Sequence, residues 1–268
     1  MPPRPPSLKR TPKPRGSWMN PVPPARPSTT LAPPVTLCVA CYGPHADLAH
    51  RFLSSLYSHT DPALFTLRAG LNEAEPETHR LFAEFSRRYA NVELTVEPRN
   101  VFKNPLMRRL FHEKPLSSRW TLWCDDDTHF TDDGWMPRLG QAMESAPEIS
   151  MWGAVYYLEC HHPEVVRWIQ SARWYRAVPL VPAAPRDGSE SAGVRFDFAT
   201  GGFWALRTQV IHQLNWPDPR LVQAGEDFLL AEALRQNGLT LGHFSEGIRS
   251  NDAPRRNPHA PEIVEIPR

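Results

Sequence analysis

The sequence predicts an α/β protein with an open, mostly parallel β-sheet and helices on both faces of that sheet. Two observations predict it. Short apolar runs alternate with amphipathic segments over about two hundred residues, from Val35 to Phe244. The runs end at turn or charged residues, for example Gly43-Pro44 after the first and Asn72-Glu73 after the second. Such alternation favours parallel strands joined by helices.

The predicted elements follow one another with short connections. The chain opens strand, helix, strand, helix, strand. The predicted strands cover residues 35–42, 64–71, 92–96, 120–124, 149–157, 194–206 with an interruption at Gly201-Gly202, and 239–244. The predicted helices cover residues 47–59, 77–89, 105–112, 134–145, 163–176, 208–214, and a last one from Gly225 to Asn237-Gly238. Residues 179–193 are rich in Pro, Gly, Ala and Ser, which predicts a loop.

Both ends of the chain differ in composition from the middle. Residues 1–34 hold twelve prolines, six Lys or Arg residues and no acid, so we expect a disordered, Pro-rich basic tail. Such a tail attracts polyanions or simply aids solubility, and both interpretations stay open. Residues 35–249 are the predicted folded domain, and residues 250–268, with four prolines, are a predicted irregular tail.

Composition excludes few partners. The formal net charge of the 268 residues is +1. No apolar run approaches the roughly eighteen residues of a membrane span, and no apolar stretch of signal-peptide type is present. The four cysteines lie in or beside apolar runs, which indicates buried free thiols in a reducing compartment, and we expect a cytoplasmic location. Cys38-x-x-Cys41 lacks a second pair, which disfavours a zinc site.

The apolar run that begins at Trp120 ends in Asp125, Asp126 and Asp127. Packed carboxylates repel one another, and a divalent cation removes that repulsion. In an extended chain Asp125 and Asp127 would face one ion, with Asp126 turned aside. Oxygen ligands suit Mg²⁺ or Mn²⁺. The alternative, that these acids cap the next helix, competes with Asp132 and Asp133, which lie closer to it.

The usual nucleotide-binding glycine motifs are absent. There is neither a Gly-x-Gly-x-x-Gly nor a Gly-x4-Gly-Lys-Ser/Thr segment. If a nucleotide binds at the carboxyl ends of these strands, where open α/β sheets bind ligands, a metal must hold its phosphates.

Four segments, in order, carry a resemblance to a known family. They are Val39-Ala40-Cys41-Tyr42-Gly43, Asp125-Asp126-Asp127, Thr200-Gly201-Gly202-Phe203-Trp204 and Gly225-Glu226-Asp227. With these segments the chain resembles GT-A-fold (Rossmann-like) glycosyltransferases that use a nucleotide-sugar donor, in particular the large family 2 group. The resemblance spans residues 35 to 249.

The resemblance implies a role for each acidic segment. The acidic strand end corresponds to the DxD motif, so Asp125 and Asp127 would hold Mn²⁺ or Mg²⁺, and Asp125 and Asp126 would contact the donor. Asp227, with Glu226 beside it, corresponds to the catalytic base.

The resemblance also implies binding roles outside the acidic segments. Gly201 and Gly202 would approach the donor sugar, His243 would be a further metal ligand, and Tyr42 would border the nucleotide. Where the family has an Asp that reads uracil, this chain has Asn72, which departs from the pattern that implies a UDP donor. Arg99, Asn100, Lys103 and Arg108 resemble basic and polar residues that contact the nucleotide.

The residue types suit glycosyl transfer. A cation stabilises the diphosphate leaving group, and a carboxylate takes the proton of the acceptor hydroxyl. One base and no enzyme nucleophile predict a single displacement with inversion. Each residue also has a structural interpretation: Glu226 and Asp227 suit a helix N-terminus, His243 suits the core, and Gly201-Gly202 suits a bulge.

Two other functions stay open. The basic tail, Arg108-Arg109 and Arg255-Arg256 suggest a nucleic-acid-associated module, and the acceptor would then be a hydroxylated base in DNA, as in bacteriophage glycosyltransferases. A nucleotidyltransferase would normally show a Gly-rich loop after the first strand, and Tyr42-Gly43-Pro44-His45 is not one.

Overall fold

The computed structural model describes residues 35–183 and 193–250. The predicted tails at 1–34 and 251–268 lie outside the described residues, as do residues 184–192 of the predicted loop.

The described chain contains nine strands and seven α-helices, in an order close to the predicted one. The strands are β1 (Val35–Tyr42), β2 (Phe65–Asn72), β3 (Val92–Glu97), β4 (Trp120–Asp125), β5 (Thr128–Phe130), β6 (Ile149–Cys160), β7 (Val194–Arg207), β8 (Thr240–His243) and β9 (Ile248–Ser250). The helices are α1 (Ala46–His59), α2 (Pro76–Arg88), α3 (Lys103–His112), α4 (Trp135–Ser145), α5 (Pro163–Gln170), α6 (Thr208–Leu214) and α7 (Glu226–Gln236).

Seven strands form one open sheet in the order β3-β2-β1-β4-β7-β6-β8. Strand β1 is parallel to β2 and β4, and β2 is parallel to β3. Strand β7 is antiparallel to both of its neighbours, β4 and β6, whereas β8 is parallel to β6. The prediction of a mostly parallel open sheet is therefore confirmed, with β7 as its reversed strand.

Helices cover both faces of this sheet, as predicted. Alternate strand residues face opposite sides, so Cys38 and Trp123 belong to one buried cluster, and Val39 and Cys124 belong to the other. The first cluster is completed by α3, α5, α6 and α7, and the second by α1, α2 and α4. The two clusters hold the strand ends of β1, β2 and β4 together at one edge of the sheet.

Four elements differ from the prediction. Helix α5 ends at Gln170 rather than near Arg176, because the Ser171 hydroxyl donates to the carbonyl of Trp168 at 2.7 Å and competes with helix continuation. Strand β6 continues to Cys160, since its second half pairs with the first half of β7. Strands β5 and β9, which were not predicted, form a separate two-stranded sheet, and Ser250 belongs to β9 rather than to an irregular tail.

No helix in the part of the chain that the structure describes is long and apolar enough to cross a membrane.

Candidate active site

A cavity of 490 Å³ lies at the carboxyl edge of β1, β2 and β4, where open α/β sheets bind ligands. Strand ends, the turn after β4, the start of α3 and the segment before α7 form its wall. The lining residues are Ala40, Tyr42, Asn72, Asn100, Phe102, Lys103, Asp125, Asp126, Asp127 and Gln223. All except Ala40, Phe102 and Gln223 are residues that the sequence analysis assigned to the donor or the metal. Ala40 lies in the first of the four segments but was given no role, and no sequence signal marked Phe102 or Gln223.

The aspartates reach this cavity from a turn and not from one strand face. Strand β4 ends at Asp125, and Asp126 and Asp127 turn before β5 begins. The predicted extended geometry, with Asp126 turned aside, is therefore wrong. All three aspartates line the cavity, and Asp126 Oδ2 also accepts a long hydrogen bond of 3.4 Å from the N–H of Tyr42.

Lys103 joins the aspartate turn to the second acidic segment. Its Nζ lies 2.8 Å from Asp125 Oδ1 and 2.6 Å from Glu226 Oε1. Burial lowers the pKa of Lys103, but attraction to Asp125, Glu226 and Asp227 outweighs burial and leaves the pKa well above its ordinary value. Lys103 is therefore a permanently charged ammonium between carboxylates that come from distant parts of the chain.

Asp227 lies beside this ion-paired group in the first turn of α7. Its Oδ2 accepts the N–H of Gly201 at 2.8 Å, and its Oδ1 is buried without a hydrogen-bond partner among the described residues. Burial raises the pKa of Asp227 well above its usual range, repulsion from Glu226 raises it further, and attraction to Lys103 opposes the rise. A carboxylate with a raised pKa is a stronger base than a free one.

Gly201 lies where the pairing between β6 and β7 changes register, so that extra residues of β7 bulge out of the ladder. The bulge brings the Gly201 N–H to Asp227. A Cβ on Gly201 would lie 2.9 Å from both Asp227 Oδ1 and Lys103 Nζ, closer than carbon normally approaches either atom. A side chain at position 201 would displace the Asp227 carboxylate or the Lys103 ammonium, and glycine leaves both in place.

Gly202 is held by the small β5–β9 sheet. The Thr128 hydroxyl donates to the carbonyl of Gly202 and lies 3.2 Å from the hydroxyl of Ser250. A Cβ on Gly202 would collide with Ser250. The two unpredicted strands therefore fix the bulge from the side opposite to α7.

The loop between β3 and α3 forms another wall. Asn72 and Asn100 hydrogen-bond to each other there at 3.0 Å. Phe102 has φ 65° and ψ 168°, a conformation normally restricted to glycine that costs about 1–3 kcal/mol. Helix α3 begins at Lys103, so Lys103 directly follows the strained residue Phe102.

The two arginines predicted to contact the nucleotide do not line the cavity. Arg108 donates to the carbonyls of Asn215 and Pro217 and to Asn215 Oδ1, so it braces the segment after α6. Arg99 is exposed in the loop after β3 and is not among the lining residues. The structure does not bring these two side chains to the cavity wall, and their contact with a nucleotide stays a prediction.

Arg109, which contributed to the nucleic-acid hypothesis, pairs with Glu97 and, more loosely at 3.8 Å, with Glu113. The basic pair on α3 is thus engaged within the protein. The other features behind that hypothesis, the basic tail and Arg255-Arg256, lie outside the described residues.

The structure does not bring His243 to the aspartates. Its Nδ1 accepts the N–H of Val155 at 3.2 Å, and the residue is exposed. Strand β8 is three strands away from β4, on the order of 14 Å at the usual spacing. The predicted grouping of His243 with Asp125 and Asp127 is therefore not observed.

The aspartate turn suits a hard divalent cation. Within residues 35–183 and 193–250, no three His, Cys, Asp or Glu side chains form a ready-made metal site. Mg²⁺ and similar ions are commonly held by one or two carboxylates together with phosphate oxygens of a substrate. Three carboxylates border one cavity, which fits such shared coordination, and ligation of a metal by Asp125 and Asp127 stays a prediction.

Solved structures of similar fold are glycosyltransferases, some with a nucleotide or nucleotide sugar and Mn²⁺. PcManGT, a mannosyltransferase of Pyrobaculum calidifontis solved with GDP-Man and Mn²⁺, has a TM-score of 0.55 and 13% identity, covering 82% of this chain and 57% of its own. Residues 1–349 of S. aureus TarS have a TM-score of 0.52 and 12% identity, with coverages of 80% and 58%. GalNAc-T7, solved with UDP, GalNAc and Mn²⁺, has a TM-score of 0.54 and 12% identity, with coverages of 79% and 41%.

The chain therefore has the GT-A fold, as the resemblance implied, and it spans less than two thirds of each of these proteins. No family model and no curated protein matches the sequence. The narrower resemblance to family 2 stays a prediction.

Proposed function

We propose that this chain, which has the fold of GT-A glycosyltransferases, moves a sugar from a nucleoside diphosphate donor to an acceptor hydroxyl with the help of a divalent cation. The observation that carries the proposal is that Lys103, which lines the cavity, and Asp227 join three segments of the chain. The aspartate turn, the Gly201 bulge and the start of α7 are far apart in sequence, yet Lys103 contacts the first and third, and Asp227 contacts the second.

Mn²⁺ or Mg²⁺, held by Asp125 and Asp127, would neutralise the diphosphate leaving group. Lys103 adds a second positive charge at the same place and keeps Asp125 and Glu226 in position. Because the ammonium is ion-paired on two sides, it is preorganised and needs no rearrangement as charge develops on the leaving group.

Asp227 would take the proton from the acceptor hydroxyl. Its Oδ2 is oriented by the Gly201 N–H, its Oδ1 has no hydrogen-bond partner among the described residues, and its raised pKa increases its basicity. A single displacement, with Asp227 opposite the leaving group, inverts the anomeric carbon.

We propose UDP as the carrier of the sugar. TarS has also been solved with UDP-GlcNAc, and GalNAc-T7 with UDP, whereas PcManGT was solved with GDP-Man. Asn72 at the end of β2 is an amide that hydrogen-bonds to Asn100 and to the N–H of Val101, and it does not decide between these bases.

The test is incubation of the protein with a panel of UDP- and GDP-sugars, with Mn²⁺ and with a chelator, followed by mass spectrometry. We expect slow, Mn²⁺-dependent hydrolysis of at least one donor in the absence of an acceptor. If no donor binds under either condition, the protein is not a nucleotide-sugar glycosyltransferase.

Asp227→Asn tests the proposed base. The amide preserves shape but cannot take a proton, so transfer should fall by about 10²- to 10⁴-fold while donor affinity stays within about twofold. Asp197→Asn is the matched control, because Asp197 lies on β7 with a side chain that is 59% exposed. Full transfer by Asp227→Asn would remove Asp227 from the mechanism.

A further inference from the structure

Asp125, the first acid of the aspartate turn, carries its own counter-ion. Lys103 Nζ lies 2.8 Å from Asp125 Oδ1 and donates to Oδ2 at 3.1 Å, so one ammonium spans both oxygens of this carboxylate. The indole N–H of Trp123 also donates to Oδ1, at 3.1 Å. Both oxygens of Asp125 are therefore engaged by donors that belong to the protein itself.

The ammonium of Lys103 is held beside Asp125 from the opposite side. Its Nζ lies 2.6 Å from Glu226 Oε1, and the Glu226 side chain is buried, whereas the Asp125 side chain is 33% exposed. The ammonium also lies over the ring of Trp123, 5.8 Å from the ring centroid, which adds a cation–π attraction. Glu226 and Trp123 therefore keep the positive charge next to Asp125 and out of the solvent.

A divalent cation on Asp125 would share this carboxylate with the ammonium. Bonds from Mg²⁺ to oxygen are about 2.1 Å long, so an ion bound to either oxygen of Asp125 would lie within about 5 Å of Lys103 Nζ. A divalent and a univalent cation at this distance repel each other even at the dielectric constant of water. Lys103 therefore lowers the affinity of the aspartate turn for a metal ion that arrives alone.

A diphosphate in the same cavity would offset this repulsion. Lys103 is the only lysine or arginine among the described residues that line the cavity, where it lies with the three carboxylates of the aspartate turn. A bound diphosphate brings negative charge that attracts the ammonium and the metal ion at once. The metal ion should therefore bind more tightly together with a diphosphate than alone, and Lys103 should make this difference larger.

We propose that Lys103 is a built-in counter-ion of Asp125, which weakens the binding of a divalent cation to the nucleotide-free protein and makes that binding depend on a nucleoside diphosphate. The inference rests on the proposed function and adds a role for Lys103 in discriminating a metal ion alone from a metal ion with its donor. A lysine that only braced the fold would have the opposite effect, because its loss would loosen the aspartate turn and weaken metal binding.

The first experiment measures Mn²⁺ binding to the full chain without nucleotide, from the electron paramagnetic resonance signal of the free ion. Lys103→Met should bind Mn²⁺ about tenfold or more tightly than the unmodified protein, because the repulsion from the ammonium is removed. Lys103→Gln, which keeps N–H donors for both carboxylates, should show the same gain. Adding Asp125→Asn to Lys103→Met should abolish the gain, because the carboxylate that was released is then missing.

The second experiment repeats the Mn²⁺ titration with saturating UDP or GDP. In the unmodified protein the nucleotide should raise the affinity for Mn²⁺ about tenfold or more, and in Lys103→Met this increase should be smaller, since the metal ion already binds well alone. Lys114→Met is the matched control, because the Lys114 side chain is 65% exposed and does not line the cavity. It should leave both Mn²⁺ affinities within about twofold of the unmodified protein.

Near-ultraviolet circular dichroism shows which of the two Lys103 variants is folded. If a folded variant binds Mn²⁺ no more tightly than the unmodified protein, or if the gain survives Asp125→Asn, the inference is wrong, whereas the proposed function stands as long as UDP or GDP binds with Mn²⁺. If neither nucleotide binds, the proposed function fails, and the dependence of metal binding on a diphosphate fails with it, even when Lys103→Met gains affinity for Mn²⁺.

Discussion

The parallel strands and the reversed strand β7 contribute to the candidate site in different ways. Strands β1 and β2 pair without a break from Val35 opposite Phe65 to Tyr42 opposite Asn72, so their side chains end level at the cavity wall. Strand β7 bulges, and it contributes a backbone N–H at Gly201. Regular strands position side chains, whereas an irregular strand can turn its backbone toward a charged group. Lys103 joins the two regions indirectly, because it pairs with Asp125 on β4 and with Glu226 on α7, where the neighbouring Asp227 accepts the Gly201 N–H.

Replacing Lys103 should separate the two regions and have the largest effect. Lys103→Met leaves Asp125 and Glu226 without their cation, and the Glu226 side chain is only 5% exposed. We expect a loss of about 3 kcal/mol in the free energy of unfolding and a fall of about a hundredfold or more in donor hydrolysis.

Urea unfolding and a hydrolysis assay measure these effects. Lys114→Met is the control, since the Lys114 side chain is 65% exposed and lies 3.6 Å from Glu93 at the surface; it should change stability by less than about 0.5 kcal/mol. Equal behaviour of the two variants would mean that the regions act independently.

Adding one carbon to the bulge should have a smaller effect. Gly201→Ala places a Cβ 2.9 Å from Asp227 Oδ1 and Lys103 Nζ, and such overpacking costs about 1–3 kcal/mol. Transfer should fall more than donor affinity, because Asp227 is displaced. The matched control is Gly140→Ala in α4, where nothing lies within 4 Å of the added carbon and the helix should gain about 0.5–1 kcal/mol. In thermal unfolding, Gly201→Ala should lower the melting temperature and Gly140→Ala should raise it.

The pH dependence of the free energy of unfolding should show that the charged form of Asp227 destabilises the folded protein. Its pKa in the folded protein is raised, so the folded state holds this proton more tightly than the unfolded state, and stability falls as pH rises from the unfolded pKa through the folded one. Asp227→Asn mimics the protonated form at every pH. It should therefore be more stable than the unmodified protein above the folded pKa and equal to it in acid, as urea unfolding at several pH values would show.

His243→Ala should have the smallest effect. The ring lies on β8 and accepts from the N–H of Val155, and water can replace it because the residue is exposed. Stability should stay within about 0.5 kcal/mol, and the Mn²⁺ concentration that gives half-maximal donor hydrolysis should not change. Asp127→Asn, by comparison, should raise that concentration. If His243→Ala also raises the Mn²⁺ concentration for half-maximal hydrolysis, His243 is a metal ligand.

The fold was predictable because its signals are local. Continuous apolar runs, each followed by an amphipathic segment, identify strands and helices without knowledge of their neighbours. The two strands that were missed, β5 and β9, have three residues each, which is too short for any periodicity to appear. The order of strands in the sheet is also not local, and the prediction for His243 failed on that point, since β8 pairs with β6 and not near β4.

The sequence predicted site residues only where a short segment of charged residues stands out from its neighbours. The aspartate turn and the start of α7 are visible as acidic segments after or before apolar runs. The contact between Lys103 and Glu226 joins positions on helices that no sequence pattern relates. Arg108 and Lys103 lie on the same helix and have the same charge, yet one braces the segment after α6 and the other enters the cavity. The two residues have different roles because their side chains leave the helix in different directions.

The contact between Ser250 and Gly202 determines how short a working fragment can be. A chain that ends at Phe244 would retain every strand of the large sheet and every candidate acid. It would nevertheless lose the hydroxyl that fills the space beside Gly202 and the strand that pairs with Thr128. Expression trials that trim the carboxyl terminus should therefore keep residue 250, and a tag fused there should be joined through a long spacer.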